Sequence, residues 1–153
     1  MTEETIQAYW QKFLSTLPAD SPYHSKSYAA EGWGDSPEMA DELGALIAQG
    51  TKTATCGSVW EWGENPLPQA GLITIVLNGQ DEPLCIIEAV EIAIRNYNEV
   101  DADFAREEAE GDLSLQYWRE LHKDFFSRTL PKIGKEFSED MPLVCMRFRV
   151  IYK

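Results

Sequence analysis

An α+β fold in one domain, residues 1–153, is what this sequence predicts, and three observations carry it. Helical periodicity and β-type runs both occur, yet without a regular strand–helix–strand rhythm. At 153 residues the chain is near the commonest size for one domain and too short for a second core of useful size. Hydrophobic residues make up 44% and aromatics 11%, enough for a sizeable core and too many for a disordered chain. A small closed sheet with helices packed outside it suits these lengths best.

The elements follow in order. Ile6, Tyr9, Trp10, Phe13, Leu14 and Leu17 recur at i, i+3, i+4 spacing and predict a helix over 2–17. Thr2 is its candidate cap, and Glu3 and Glu4 suit the positive end of the helix dipole. Residues 18–34, with Pro22, Tyr23, Tyr28, Trp33 and Gly34, read as a long loop, a feature that is often functional inside a compact domain. Ser36, Pro37 and Gly50 bracket a second helix over 37–49 as cap, first helical residue and stop. The period then changes: Thr53–Trp62, rich in Thr, Val and Trp, reads as a strand. After a Pro-containing loop, Leu72–Leu77 and Leu84–Ile94 form two more, joined through Asn78-Gly79 as a hairpin. A short acidic helix over about 101–109 and a longer one over about 113–129 come next. The longer one starts after Asp112 and turns Leu115, Trp118, Leu121 and Phe125 inward. Leu143–Tyr152 closes the series as a strand, with Val144, Met146, Phe148 and Val150 on one face and Arg147 and Arg149 on the other.

Charge narrows the function. A net charge of −13, from 26 acids against 13 bases, argues against a protein that coats double-stranded DNA or lies on a membrane, since both need surplus Lys and Arg. A local pocket for one nucleoside or a short single strand remains compatible with it, and so does plain solubility. Cys56, Cys85 and Cys145 are too widely spaced for a disulfide framework or a zinc signature, and reduced, buried thiols are expected. Met1–Gln7 carries two acids and no base, which is not a signal peptide, and no run is long enough for a membrane span. The expected location is the cytosol.

Gly50-Thr51-Lys52-Thr53-Ala54-Thr55 is the most informative segment, because it joins a helix end to a strand start. Gly50 lets the chain turn sharply. Burial of a lysine at such a junction disfavours its charge and would suit it to act as a base. A neighbouring threonine hydroxyl is then a candidate nucleophile. The plainer alternative is an exposed Lys52 in a turn beside ordinary strand threonines. Residues 101–112 hold six acids, among them Glu107, Glu108, Glu110 and Asp112, opposed only by Arg106. One could orient Lys52 or bind the amino group of a base, and several could hold a divalent cation. The alternative is a solvated acidic turn with Asp112 as a helix cap. Tyr23, Tyr28, Trp33, Trp60 and Trp62 are candidates for stacking on a base, with core or rim packing as the alternative. His24 and His122 are isolated, and His122 reads as packing or exposed rather than catalytic. No Cys/His cluster, phosphate loop or Ser/His/Asp spacing stands out.

Taken together and in this order, several stretches resemble the ASCH-domain family in its longer bacterial type, which is related to the PUA-like fold. They are Trp33-Gly34-Asp35-Ser36-Pro37-Glu38, Gly50-Thr51-Lys52-Thr53-Ala54-Thr55 and Pro66-Leu67-Pro68. Cys85-Ile86-Ile87-Glu88, Glu110-Gly111-Asp112, Ser114-Leu115, Tyr117-Trp118-Arg119, Phe125-Phe126-Ser127 and Met141-Pro142-Leu143-Val144 complete the set. One departure stands out: after Thr55 this chain reads Cys56-Gly57, where the pattern has a small residue and then Ser.

The resemblance implies a PUA-like β-barrel with flanking helices and a cleft lined by the Gly-x-Lys-x-x-Thr segment. It implies an association with single-stranded RNA or a modified nucleoside. Some small bacterial members resemble amidohydrolases that remove the acetyl group of N4-acetylcytidine with a Lys, a Thr and a Glu. Carried over by position, these are Lys52, Thr55 and Glu110, with Trp33, Thr53 and Trp60 as candidate binding residues. Others resemble ribonucleases on single-stranded RNA, for which Ser127 and Arg128 would hold the phosphate. A third reading is a binding module without turnover. No cofactor is called for, although the ribonuclease reading admits a divalent metal. Whether the chain dimerises is left open by the sequence.

Overall fold

The computed structural model describes residues 2–153, with side chains from Glu3 onward, so the expected capping by Thr2 lies outside the described side chains. Four α-helices and five strands are present among the described residues: α1 (Thr2–Ser15), β1 (Ala29–Glu31), α2 (Pro37–Ala48), β2 (Ala54–Ser58), β3 (Ile73–Leu77), β4 (Pro83–Asn96), α3 (Ala102–Glu108), α4 (Leu115–Thr129) and β5 (Pro142–Tyr152). The strands hydrogen-bond in the order β1-β3-β4-β5-β2. The α+β class expected from the sequence is the class observed. No helix among the described residues is long and apolar enough to cross a membrane.

The chain divides into two compact units, and the boundaries fall inside β4, after Ala89, and inside β5, after Phe148. The first unit holds the residues up to Gly50, then Gly71–Ala89 and Arg149–Lys153. Here Trp10, Phe13 and Leu14 on one face of α1 bury against Ile73, Ile75 and Leu77 of β3 and Ile86 of β4. All five β3 residues are buried, four of them aliphatic and the fifth Thr74. The Asn78-Gly79 hairpin forms as expected. The Asn78 side chain accepts from the backbone N–H groups of Gln80 and Glu82 and holds the turn closed. Ser36 caps α2 by accepting from the Met39 N–H, and Pro37 sits in its first turn. The loop expected over 18–34 contains one more element: β1 pairs in parallel with β3. Its three residues are all exposed, so no hydrophobic pattern marked it.

The second unit holds Thr51–Ala70 and Val90–Phe148. Here β2 pairs antiparallel with β5, Ala54 opposite Arg147 and Cys56 opposite Cys145. Its core comprises Ala54, Phe104, Ala105, Trp118, Phe126, Leu130, Leu143 and Cys145, among others. The strand expected to reach Trp62 ends at Ser58 and continues as a 3-10 turn over Val59–Trp62. Trp60 and Trp62 therefore do not share a strand face. The reason is local: the Ser58 hydroxyl accepts from the Trp60 N–H and turns the chain. Ser114, not Asp112, caps α4 by accepting from Tyr117 N–H, while the Asp112 carboxylate accepts from the Ser114 N–H. The buried line of α4 runs Trp118, His122, Phe126, turned from the expected Leu115, Trp118, Leu121, Phe125.

Candidate functional site

Lys52 lies just before β2, where the chain enters the sheet. The Thr53 N–H donates to the Glu107 carbonyl at 2.9 Å, and the Thr53 carbonyl accepts from the Phe148 N–H at 3.0 Å. With Thr53 fixed on both sides, strand alternation sends Lys52, Ala54 and Cys56 to one face and Thr53 and Thr55 to the other. Lys52 and Ala54 are buried, and Thr53 and Thr55 are partly exposed.

The Lys52 side chain has no exposure at all. Its Nζ donates to Glu108 Oε1 at 3.1 Å and to the Glu108 carbonyl at 3.2 Å. Glu110 Oε1 stands 3.9 Å away, on a side chain 18% exposed. An ammonium has three donors, so two are directed at one residue and the third is left for the rim carboxylate.

Glu108 is the hub. It ends α3, and Ala109 then takes a left-handed conformation that turns the chain. The carboxylate's second oxygen accepts from Trp118 Nε1 and lies 3.4 Å from His122 Nε2. The Cys56 sulfur lies within 4.8 Å of the carboxylate and of the imidazole. The imidazole stacks on the Trp118 indole with centroids 4.2 Å apart. His122 Nδ1 lies 2.8 Å from the Trp118 carbonyl. A carbonyl only accepts, so the proton sits on Nδ1 and Nε2 faces the carboxylate.

Burial alone would raise the Glu108 carboxyl. The Lys52 ammonium, His122 and the hydrogen bonds from Trp118 and Lys52 outweigh it and hold the group below its ordinary value. Burial, then the Glu108 charge and Cys145, push the Cys56 thiol well above its ordinary range. Burial and the Glu108 charge push Cys145 up to about 12. Both thiols are therefore protonated and unreactive as they stand.

On the outer edge of this unit Arg147 spans Glu107 and Glu91, with nitrogens 2.8 Å from Glu107 Oε2 and 2.9 Å from Glu91 Oε2. A surface hollow elsewhere in the unit is lined by Tyr97, Asn98, Arg119, Glu120, Lys123 and Glu139, and includes neither Lys52 nor Glu108.

The ASCH domain pattern matches residues 29–152. The chain belongs to the ASCH-domain family. The ASCH domain from Lactobacillus crispatus JV V101 is 35% identical, with a TM-score of 0.92, covering 98% of this chain and 96% of that one. Protein EF3133 from Enterococcus faecalis V583 is 36% identical, with a TM-score of 0.85, covering 97% and 94%. Hypothetical protein PH0355, at 15% identity and a TM-score of 0.55, shares the fold alone. No curated protein matches. The ASCH domain is a PUA-like fold, often linked to RNA binding.

Within this ASCH domain, the residues singled out from the sequence fall into three groups. Lys52 and Glu110 come together. Thr53 and Thr55 lie on the other face of the strand. Ser127 and Arg128 are exposed on α4, away from its buried line, and Arg128 pairs with Asp124 at 3.0 Å. Trp60 packs on the second unit's core, with the Lys135 ammonium 5.7 Å from its ring centre. Trp33, in the first unit, donates from its indole to Glu31 at 2.8 Å. The residues that sequence reasoning missed are Glu108, Trp118, His122 and Cys56. Glu108 was one acid among six, and what distinguishes it is a lysine 56 positions away.

Proposed function

We propose that this ASCH domain handles a modified cytosine nucleoside or short single-stranded RNA, and hydrolyses the acetyl group of an N4-acetylcytidine-type substrate. In this reading Thr55 attacks the acetyl carbonyl and its hydroxyl proton passes to water, while Lys52, an ammonium on the other face of the strand rather than the base expected from the sequence, holds Glu110 where it can read the base. One observation carries it: Lys52 is fully buried, yet its remaining donor faces Glu110, a carboxylate that reaches the surface. A lysine so held is a fixed positive charge beside a carboxylate at the rim. Family resemblance supplies the substrate class, and the net charge of −13 suits a small ligand better than a long polyanion.

A second reading has a specific observation behind it. Two donors of Lys52 are committed to Glu108, which suits a fixed cation in a non-catalytic binding module. The ribonuclease reading draws on Ser127 and Arg128, which are exposed on α4 and off the buried line that carries Trp118 and His122.

The test is a product assay. Purified protein is incubated with N4-acetylcytidine and the mixture is separated by chromatography, with Thr55→Ala alongside. Thr55 is partly exposed, so its truncation leaves the buried cluster in place. Cytidine formed by wild type and lost in Thr55→Ala supports the hydrolase. Equal turnover by the two proteins removes Thr55 as nucleophile. Saturable nucleoside binding without product supports the binding module.

A further inference from the structure

We propose that Cys56, Glu108 and His122 form a binding site for one divalent transition-metal ion of the zinc or cobalt type. Their donor atoms, one thiol sulfur, one carboxylate oxygen and one imidazole nitrogen, all lie within 4.8 Å of one another, and Glu108 and His122 are buried. That donor set suits a borderline-soft ion and leaves a fourth position for water.

Three features go beyond proximity. The first is spacing. Tetrahedral coordination with bonds of about 2.05 Å places two ligand atoms about 3.4 Å apart, and His122 Nε2 stands 3.4 Å from the Glu108 oxygen. That separation is long for a hydrogen bond and right for the edge of a coordination tetrahedron. Cys56 Sγ then closes in from within its 4.8 Å, a side-chain movement of about an ångström.

The second feature is orientation. His122 turns Nε2 inward because Nδ1 is held on the Trp118 carbonyl at 2.8 Å, the arrangement that commonly fixes a metal-ligating imidazole. Glu108 is steadied in the same way, by Lys52 on one oxygen and Trp118 on the other.

The third is charge. Lys52 beside Glu108 is an apparent objection, since an ammonium repels a cation. With the ion bound, however, one thiolate and the two carboxylates Glu108 and Glu110 stand against one ammonium and one divalent ion. The filled cluster is neutral, as a buried site must nearly be. On binding, the Cys56 S–H bond breaks, a sulfur–metal bond forms, and the proton passes to solvent.

The site goes beyond the proposed hydrolysis, and its test reads binding rather than turnover, so either can fail alone. Full-length protein, reduced and stripped with a chelator, is titrated with Co²⁺ near neutral pH and followed by absorption. The expected result is a thiolate-to-cobalt charge-transfer band and tetrahedral d–d bands that saturate at one ion per chain, with Zn²⁺ displacing the cobalt. Cys56→Ser abolishes the charge-transfer band, His122→Gln weakens binding at least tenfold, and Cys145→Ser leaves both unchanged. Far-UV circular dichroism confirms that each variant is folded. No charge-transfer band in the wild-type protein, or a band that survives in Cys56→Ser, overturns the assignment whatever the other variants do.

Discussion

Replacing Lys52 by Met keeps most of the side-chain volume and removes the charge. In the folded protein this strands the Glu108 carboxylate, whose side chain is only 2% exposed. Breaking a buried ion pair from one side costs about 3–5 kcal/mol, a drop of about two to three and a half orders of magnitude in the folding constant. Glu108→Gln removes the nearest counter-charge of the ammonium and leaves it only Glu110 at 3.9 Å, so its cost should be somewhat smaller. The double variant Lys52→Met/Glu108→Gln leaves neither of these charges buried, and the amide introduced at position 108 still offers an oxygen to the Trp118 indole. Its loss should fall short of the summed single losses by about 2 kcal/mol. Urea unfolding followed by tryptophan fluorescence measures all four proteins. Acid supplies a second reading. The Glu108 carboxyl titrates below its ordinary 4.5 in the folded chain. Its contribution is therefore full above that value and is lost as pH falls through the lower folded value. The gap between wild type and Glu108→Gln should be widest at neutral pH and close in acid. Single losses below about 1 kcal/mol, or single effects that simply add, would refute the reasoning.

Three further outcomes are expected. Trp118→Phe keeps the stacked ring and removes the N–H that Glu108 accepts, so it should cost about 1.5–3 kcal/mol by the same urea assay. Gly111 has φ of +59°, and a Cβ there would collide with the Tyr117 ring. Gly111→Ala should therefore destabilise by more than about 1 kcal/mol, partly recovered in Gly111→Ala/Tyr117→Ala, and thermal melting checks both. Arg147 bridges Glu107 and Glu91, with its own side chain and that of Glu107 partly exposed. Arg147→Ala should cost about 1 kcal/mol, with the difference shrinking at about 1 M salt.

What was legible in the sequence was local. Ser36-Pro37 announced α2 because capping needs only neighbouring residues, and Asn78-Gly79 announced its hairpin for the same reason. The expected alternation of β5 holds only over Met146–Arg149, which run buried, half-buried, buried and exposed, whereas Leu143–Met146 are all buried. β1 was not legible, since its only definition is a parallel partner more than forty residues on. The face of α4 was misjudged because both Leu121-Phe125 and His122-Phe126 continue the line from Trp118. The deciding factor is that His122 finds a carboxylate and an indole to pack on, a long-range fact. The Lys52–Glu110 approach was legible through the family pattern. Glu108 was not, because burial selects it from a run of acids and nothing in the run itself does.

One carboxylate shared by Lys52, Trp118, His122 and Cys56 also limits how this protein can change over time. A single substitution at position 52 or 108 passes through a form with a lone buried charge, whereas paired replacement does not. Neutral drift therefore reaches an uncharged version of this cluster only by two nearly simultaneous steps, or by a prior stabilising change elsewhere that absorbs the first. Lys52 and Glu108 should behave as one inherited character, kept or lost together, while the partly exposed Thr55 a few residues along is free to vary by itself as far as folding is concerned.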